Sequence, residues 1–137
     1  MSTVFTKIIN REIPANIVYE DNIVIAFLDI SQATPGHVLV VPKKEFEDIL
    51  ELDESVAAHL YQVVVKLAKA IKKSFNPSGI NILNNNGEIA GQTVFHYHIH
   101  IIPRYEVNDV TFVLENNYGK VSSDELSKRA DLIKSAL

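Results

Sequence analysis

Three of the five histidines of this 137-residue chain stand at alternate positions, in the run His96-Tyr97-His98-Ile99-His100-Ile101-Ile102. At this histidine content a given histidine gains two more at +2 and +4 by chance roughly once in 600 cases, so the spacing calls for a cause. Alternation with Tyr97, Ile99 and Ile101 is the period-two signature of a strand, which puts the three imidazoles on one face. At ~3.3 Å per residue, neighbours in the row are ~6.6 Å apart and the outer pair ~13 Å apart. Two of them could converge on a zinc ion with Zn–N bonds of ~2.0–2.1 Å, but all three cannot share one ion on a straight strand. A metal reading therefore leaves one ring over and needs an outside ligand such as His37. Chemistry at phosphorus employs all three: a neutral imidazole nitrogen attacks the phosphoryl group, and flanking imidazolium groups, with an ordinary pKa of ~6.5, donate to phosphate oxygens or the leaving group. A purely structural row, each ring hydrogen-bonded at a strand edge, is the third reading, and rings left unpaired there would be costly.

The residues just upstream suit an anion. Gly91 lets backbone N–H groups approach closely, and the Thr93 hydroxyl reaches the histidine face only if a bulge or turn shifts the register, because 93 is odd. The composition narrows the partners. Thirteen Lys and Arg stand against 17 Asp and Glu, a formal charge of −4 and opposite in sign to a nucleic-acid footprint. No cysteine is present, which removes disulfides, thiol nucleophiles and thiolate metal sites. No signal-peptide pattern opens the chain and no apolar run approaches the ~20 residues of a membrane span. The expected compartment is the cytoplasm, with neither nucleic acid nor membrane as partner.

The elements that must carry these residues can be read in outline. Val4 to Asn10 reads as a short helix; Ile17 to Tyr19 and Ile23 to Leu28 read as strands joined by the polar turn Glu20-Asp21-Asn22. Thr34-Pro35-Gly36 is a second turn. His37 to Val41 is β-branched and nearly all apolar, as expected of a strand covered on both faces. From Asp53 to Phe75 apolar residues recur at three- and four-residue steps, with acids at the start, Lys72 and Lys73 at the end and Pro77 beyond, which predicts one long helix. A last amphipathic helix is predicted to start at the box Ser122-Ser123-Asp124-Glu125 and to run through Leu137. The class is α+β: an antiparallel sheet with one long helix and short terminal helices, in a single domain spanning residues 1–137. His59, at the edge of the long helix's apolar stripe, reads as a satisfied core histidine. Lys43 and Lys44 read as a solvated strand end, and Arg104 as either an anion clamp or a surface ion pair.

The histidine run resembles the His-φ-His-φ-His-φ-φ signature (φ apolar) of the histidine triad (HIT) superfamily of nucleotide hydrolases and transferases. The resemblance extends to Asn85-Asn86-Gly87, Ala90 to Val94, Ala26 to Ile30 and Gly36 to Pro42. It covers a core of about 5–104 and leaves 105–137 as a C-terminal extension that carries the last helix. The nearest likeness is to bacterial Hint-like members.

The resemblance implies roles. His98 would be the nucleophile at the α-phosphorus of a purine nucleoside phosphoramidate or a dinucleoside polyphosphate. A nucleotidyl-histidine intermediate would form, and water would release the nucleoside monophosphate. His96 would position His98, His100 would contact phosphate and assist proton transfer, and His37 would be the outer member of the network. Asp29 would accept the ribose hydroxyls, a role that two carboxylate oxygens suit. Phe5, Ile8, Phe27 and Ile30 would surround the base, and Asn85, Gly91, Gln92 and Thr93 would lie on the phosphate side. Without the resemblance the four apolar residues would read as core and Asp29 as a turn cap.

A homodimer is implied, and no cofactor is required. Many bacterial members bind a structural zinc through an N-terminal Cys-x-x-Cys, a His after the Pro-Lys step and a triad-region His. Thr3, Thr6 and Glu45 occupy the first three places here, so that zinc is predicted absent. Asn85 inclines the substrate toward phosphoramidates and Ala90 to Val94 toward dinucleotides, so the leaving group stays open. Two further readings stay open as well: a nucleotide-binding regulatory or scaffold protein with incidental turnover, and a His-ligated zinc hydrolase.

Overall fold

The computed structural model describes residues 2–137. Helix α1 (Val4–Ile9) is followed by strands β1 (Ile17–Glu20), β2 (Val24–Leu28) and β3 (Val38–Pro42), then by helix α2 (Glu54–Phe75), strands β4 (Gly79–Leu83) and β5 (Ile99–Arg104), and helix α3 (Ser123–Ser135). The five strands form one antiparallel sheet in the order β1-β2-β3-β5-β4. Strands β3 and β5, distant in sequence, are therefore central neighbours. This mixed architecture matches the α+β class expected from the sequence.

The alternation of side chains divides the core into two layers. Val24 and Ala26 of β2, Val38 and Val40 of β3, and Ile99 and Ile101 of β5 face α2, where they pack with Leu60, Val63, Val64, Leu67 and Ile71. Ile25, Phe27, Leu39 and Val41 face the opposite way and are closed over by Phe5 and Ile8 of α1. That is why β3 is apolar throughout: both of its faces are covered. His100 pairs with Leu39 in the ladder, so it shares the face of α1.

The ends of the helices have local causes. The Asp53 carboxylate caps α2 by accepting from the Ser55 and Val56 N–H groups. Asn76 in the left-handed region (φ +49°) ends α2 one residue before Pro77. Phe75, the last apolar residue of the predicted helix, is about half exposed; its ring lies beside Gly36, whose φ of +92° makes the turn into β3. His59 differs from expectation too. It is half-buried and meets Asp21 at 2.7 Å, an ion-pair position at the rim of the core. Lys43 pairs with Glu20 at 2.7 Å.

Arg104 staples the start of the C-terminal extension. It donates to Asp109, to Asn81 at 2.6 Å and to the carbonyls of Val107 and Val110, which leaves it no role as an anion clamp. Beyond this point the chain runs outward. No residue of α3 is buried, and its apolar members Leu126, Leu132 and Ile133 lie exposed.

Candidate active site

Strand β5 begins only at Ile99, so of the three alternate histidines only His100 sits in the ladder; residues 93–98 form bends and irregular backbone. The regular row expected from the spacing is thereby compressed at one end. The His98 and His100 ring centroids are 5.0 Å apart. His96 turns inward and is fully buried. The same irregularity brings Thr93 to the cavity wall with His98 and His100, although its parity on a regular strand would point it away.

Hydrogen-bond partners decide which nitrogen of each ring carries the proton. His98 Nδ1 lies 2.8 Å from the His96 carbonyl; an oxygen there can only accept, so Nδ1 holds the hydrogen and Nε2 keeps a lone pair. His96 Nε2 faces the Pro42 carbonyl at 2.8 Å, and its Nδ1 faces the Thr3 hydroxyl at 3.2 Å. On the other side the Ala33 N–H donates to His37 Nδ1 at 3.2 Å, which puts the His37 proton on Nε2, 2.9 Å from His100 Nδ1. His100 then accepts at Nδ1 and carries its hydrogen on Nε2. In its neutral form each of the four rings is held to one tautomer.

Electrostatics agree. Burial pushes His37, His96 and His98 below the ordinary imidazole range. Burial and the nearby His98 and His37 rings take His100 down to about 4. A flanking imidazolium is therefore replaced, in the free protein, by a neutral N–H donor. Asp29 stays ionised: burial would raise its pKa, but two hydrogen bonds from Ser31 and the adjacent imidazoles hold it below the usual carboxylate range. Its Oδ1 takes both Ser31 bonds, at 2.8 and 2.6 Å, while Oδ2 stands 3.7 Å from His37 Nε2. The turn-capping and site-facing readings of Asp29 thus apply to different oxygens.

Two of the histidines, His98 and His100, open onto a cavity of about 290 Å³. Phe5 and Ile8 of α1 form one wall, Phe27, Ile30 and Leu39 another, and Asp29, Thr93, His98 and His100 supply the polar end. The Phe5 ring meets His98 edge-on at 4.9 Å and Phe27 at 5.5 Å. Ile30 lines this cavity but is almost wholly exposed at its mouth. The remaining sequence-derived residues stand apart from the cavity. The buried Gln92 side chain bonds to Gly87 N–H, Glu47 O and Val94 O and staples the loop. Gly91 (φ +97°) approaches the Asn85 carboxamide, so these two shape the loop together. Sequence reasoning missed the Ala33 N–H and the Pro42 carbonyl, since backbone groups leave no compositional signal.

Two groups of metal-capable residues can be tested. Asp29, His37 and His100 present ligand atoms within 4.8 Å of one another, but the His37 Nε2 proton points at His100, and moving it to Nδ1 would oppose the Ala33 N–H. Thr3, Thr6, Glu45 and His96 also converge, through hydrogen bonds. Two alcohols, one carboxylate and one imidazole do not fit the nitrogen and thiolate donors of a structural zinc.

An antiparallel five-stranded sheet with paired imidazoles at one end of an apolar cavity is the arrangement of the histidine triad class. The HIT domain family model matches residues 10–107, and the chain belongs to that family. Protein hit of Bacillus subtilis is 55% identical over 106 residues, covering 77% of this chain and 73% of that one. An adenosine 5'-monophosphoramidase of Schizosaccharomyces pombe is 41% identical over 104 residues, 76% of this chain and 75% of that protein. The crystal structure of a HIT family member from Bacillus subtilis superposes with a TM-score of 0.96 at 44% identity, covering 100% of this chain and 98% of its own.

Proposed function

We propose that this protein is a nucleotide hydrolase or nucleotidyl transferase that cleaves at the α-phosphorus of a purine nucleoside phosphoramidate or dinucleoside polyphosphate. The observation that carries the reading is the His98 Nδ1 to His96 carbonyl bond of 2.8 Å. It leaves Nε2 as an unprotonated nucleophile on a ring that needs no prior deprotonation. In the proposed reaction Nε2 attacks phosphorus and the bond to the leaving group breaks. The leaving group departs with the electron pair of that bond and takes its proton from solvent, while the neutral His100 Nε2–H assists with a hydrogen bond. Water then attacks phosphorus, the phosphorus–nitrogen bond breaks with its electron pair returning to His98 Nε2, the water's proton passes to solvent, and a nucleoside monophosphate is released. The apolar walls from α1 and β2 suit a purine, and the Asp29 carboxylate suits the ribose hydroxyls.

The phosphoramidase relative supports the amine leaving group, and the adenylylsulfatase of Arabidopsis thaliana, 42% identical over 103 residues, supports an adenylyl group as the part recognised. A homodimer is part of the proposal. The superposition with the Bacillus crystal structure includes the outward C-terminal segment, whose exposed apolar residues find no cover within one chain. A 13-residue helix is marginal alone in water, so a second copy is the natural support.

The test is an acid quench of enzyme mixed with adenosine phosphoramidate or diadenosine polyphosphate, followed by peptide mass analysis and comparison of kcat/KM. An adenylyl adduct on the peptide containing His98 is expected. Steady turnover with no adduct on any histidine, or tight AMP binding with no cleavage of either substrate, would overturn the mechanism. Elemental analysis is expected to find no stoichiometric zinc, and turnover is expected to survive chelation.

A further inference from the structure

The N-terminal helix carries a polar chain that the reaction as proposed does not use. We infer that Thr3, Thr6 and Glu45 are positioning residues, which hold His96 and, through the His96 carbonyl, fix the ring of His98. The inference rests on the reading of His98 as nucleophile. Thr6 Oγ1 donates to the Glu45 carboxylate and accepts from the Thr3 N–H at 3.3 Å. Thr3 Oγ1 accepts from the Thr6 N–H at 3.2 Å and meets His96 Nδ1 at 3.2 Å. The proton count allows one direction. His96 Nε2–H already donates to Pro42 O at 2.8 Å, so neutral His96 must accept at Nδ1, and the Thr3 hydroxyl is its donor.

Each hydrogen in the sequence Thr6 to Glu45, Thr3 to His96, His96 to Pro42 and His98 to His96 is then used once. Among the described residues, no buried side-chain polar atom lacks a partner. The chain spans 93 positions between Thr3 and His96, and the same short helix lays Phe5 edge-on against both His96, at 5.9 Å, and His98, at 4.9 Å. A six-residue helix has little stability of its own. The hydrogen-bonded chain therefore seats the helix and aims the ring in one act.

Variants at Thr3 separate this role from simple helix capping. Thr3→Asp keeps a strong N-cap but supplies no hydroxyl donor to neutral His96; Thr3→Val removes cap and donor; Thr3→Ser keeps both. The expected result is a fall in kcat for adenosine phosphoramidate of about tenfold or more in Asp and Val alike. AMP affinity should change less than about threefold, and Ser should restore kcat to within about twofold. Thr6→Val, which leaves the His96 contact but removes the Thr6–Glu45 hydrogen bond, should fall between. A Thr3→Asp enzyme with unchanged kcat would overturn the inference and return Thr3 to a capping role. If the wild-type protein cleaves no nucleotide, imidazole nitrogen NMR still decides. A His96 and His98 tautomer pattern that is unchanged in Thr3→Asp and Thr3→Val overturns the positioning role, and an altered one supports it.

Discussion

His37 Nε2 lies 2.9 Å from His100 Nδ1, and this pair ties the residue just before β3 to β5 across the site by a hydrogen bond of fixed direction. The direction follows from the Ala33 N–H, which occupies the other His37 nitrogen. His100 is thereby required to present Nε2–H outward, the form that can donate to a phosphate oxygen or a departing group.

Replacing His37 with Asn should lower kcat by about 10- to 100-fold with little change in nucleotide KM, because the His100 tautomer loses its director while the cavity walls stay in place. Steady-state kinetics check this. A rise in KM with kcat intact would assign His37 to binding.

Replacing His98 with Ala removes the nucleophile but leaves the apolar walls and Asp29. AMP should still bind within a few-fold of the wild-type affinity by calorimetry, while turnover falls by at least about 10³. A variant with near-normal turnover would place the nucleophile elsewhere.

Asp29→Asn keeps one acceptor for the Ser31 turn but removes the charge. Loss of a charge-assisted hydrogen bond at this partly buried position should weaken AMP binding by roughly 1–2 kcal/mol. The loss should shrink for 2',3'-dideoxy-AMP, which has no ribose hydroxyls to donate. An equal loss for both nucleotides would assign Asp29 to electrostatic support of His37 alone.

Acid should destabilise the fold before most carboxylates titrate. His37, His96, His98 and His100 all have folded pKa values below the ordinary ~6.5, so the unfolded chain binds protons more readily and stability rises with pH. Their contribution is complete above ~6.5 and is lost as pH falls toward the folded values, about 4 for His100. Urea unfolding at pH 7.5, 6 and 5 should give falling free energies. The acid limb of kcat should likewise lie below ~6.5, since His98 must be neutral to attack. A free energy of unfolding that stays flat across that range would contradict the buried neutral rings.

Much of this protein was legible as a sequence because much of it reports local burial. The three-four periodicity of α2 and the doubly apolar β3 each reflect which side of one element meets the core, and that is written residue by residue. The identity of the chemistry-bearing groups was legible for the same reason. What the chain order could not express is which elements become neighbours. His37 and His100, 63 positions apart in the chain, meet only because β3 and β5 lie side by side in the sheet, a pairing that no local period encodes. Residues 93–98 leave the strand period to let His96 reach Pro42 O and Thr93 reach the cavity, since satisfying a buried imidazole outweighs keeping the ladder. The sequence alone determined the residue types, the helices and the family likeness. The tertiary structure alone decided ring tautomers, neutral charge states and the contact of α1 with the nucleophile, because these depend on groups brought together across the whole chain.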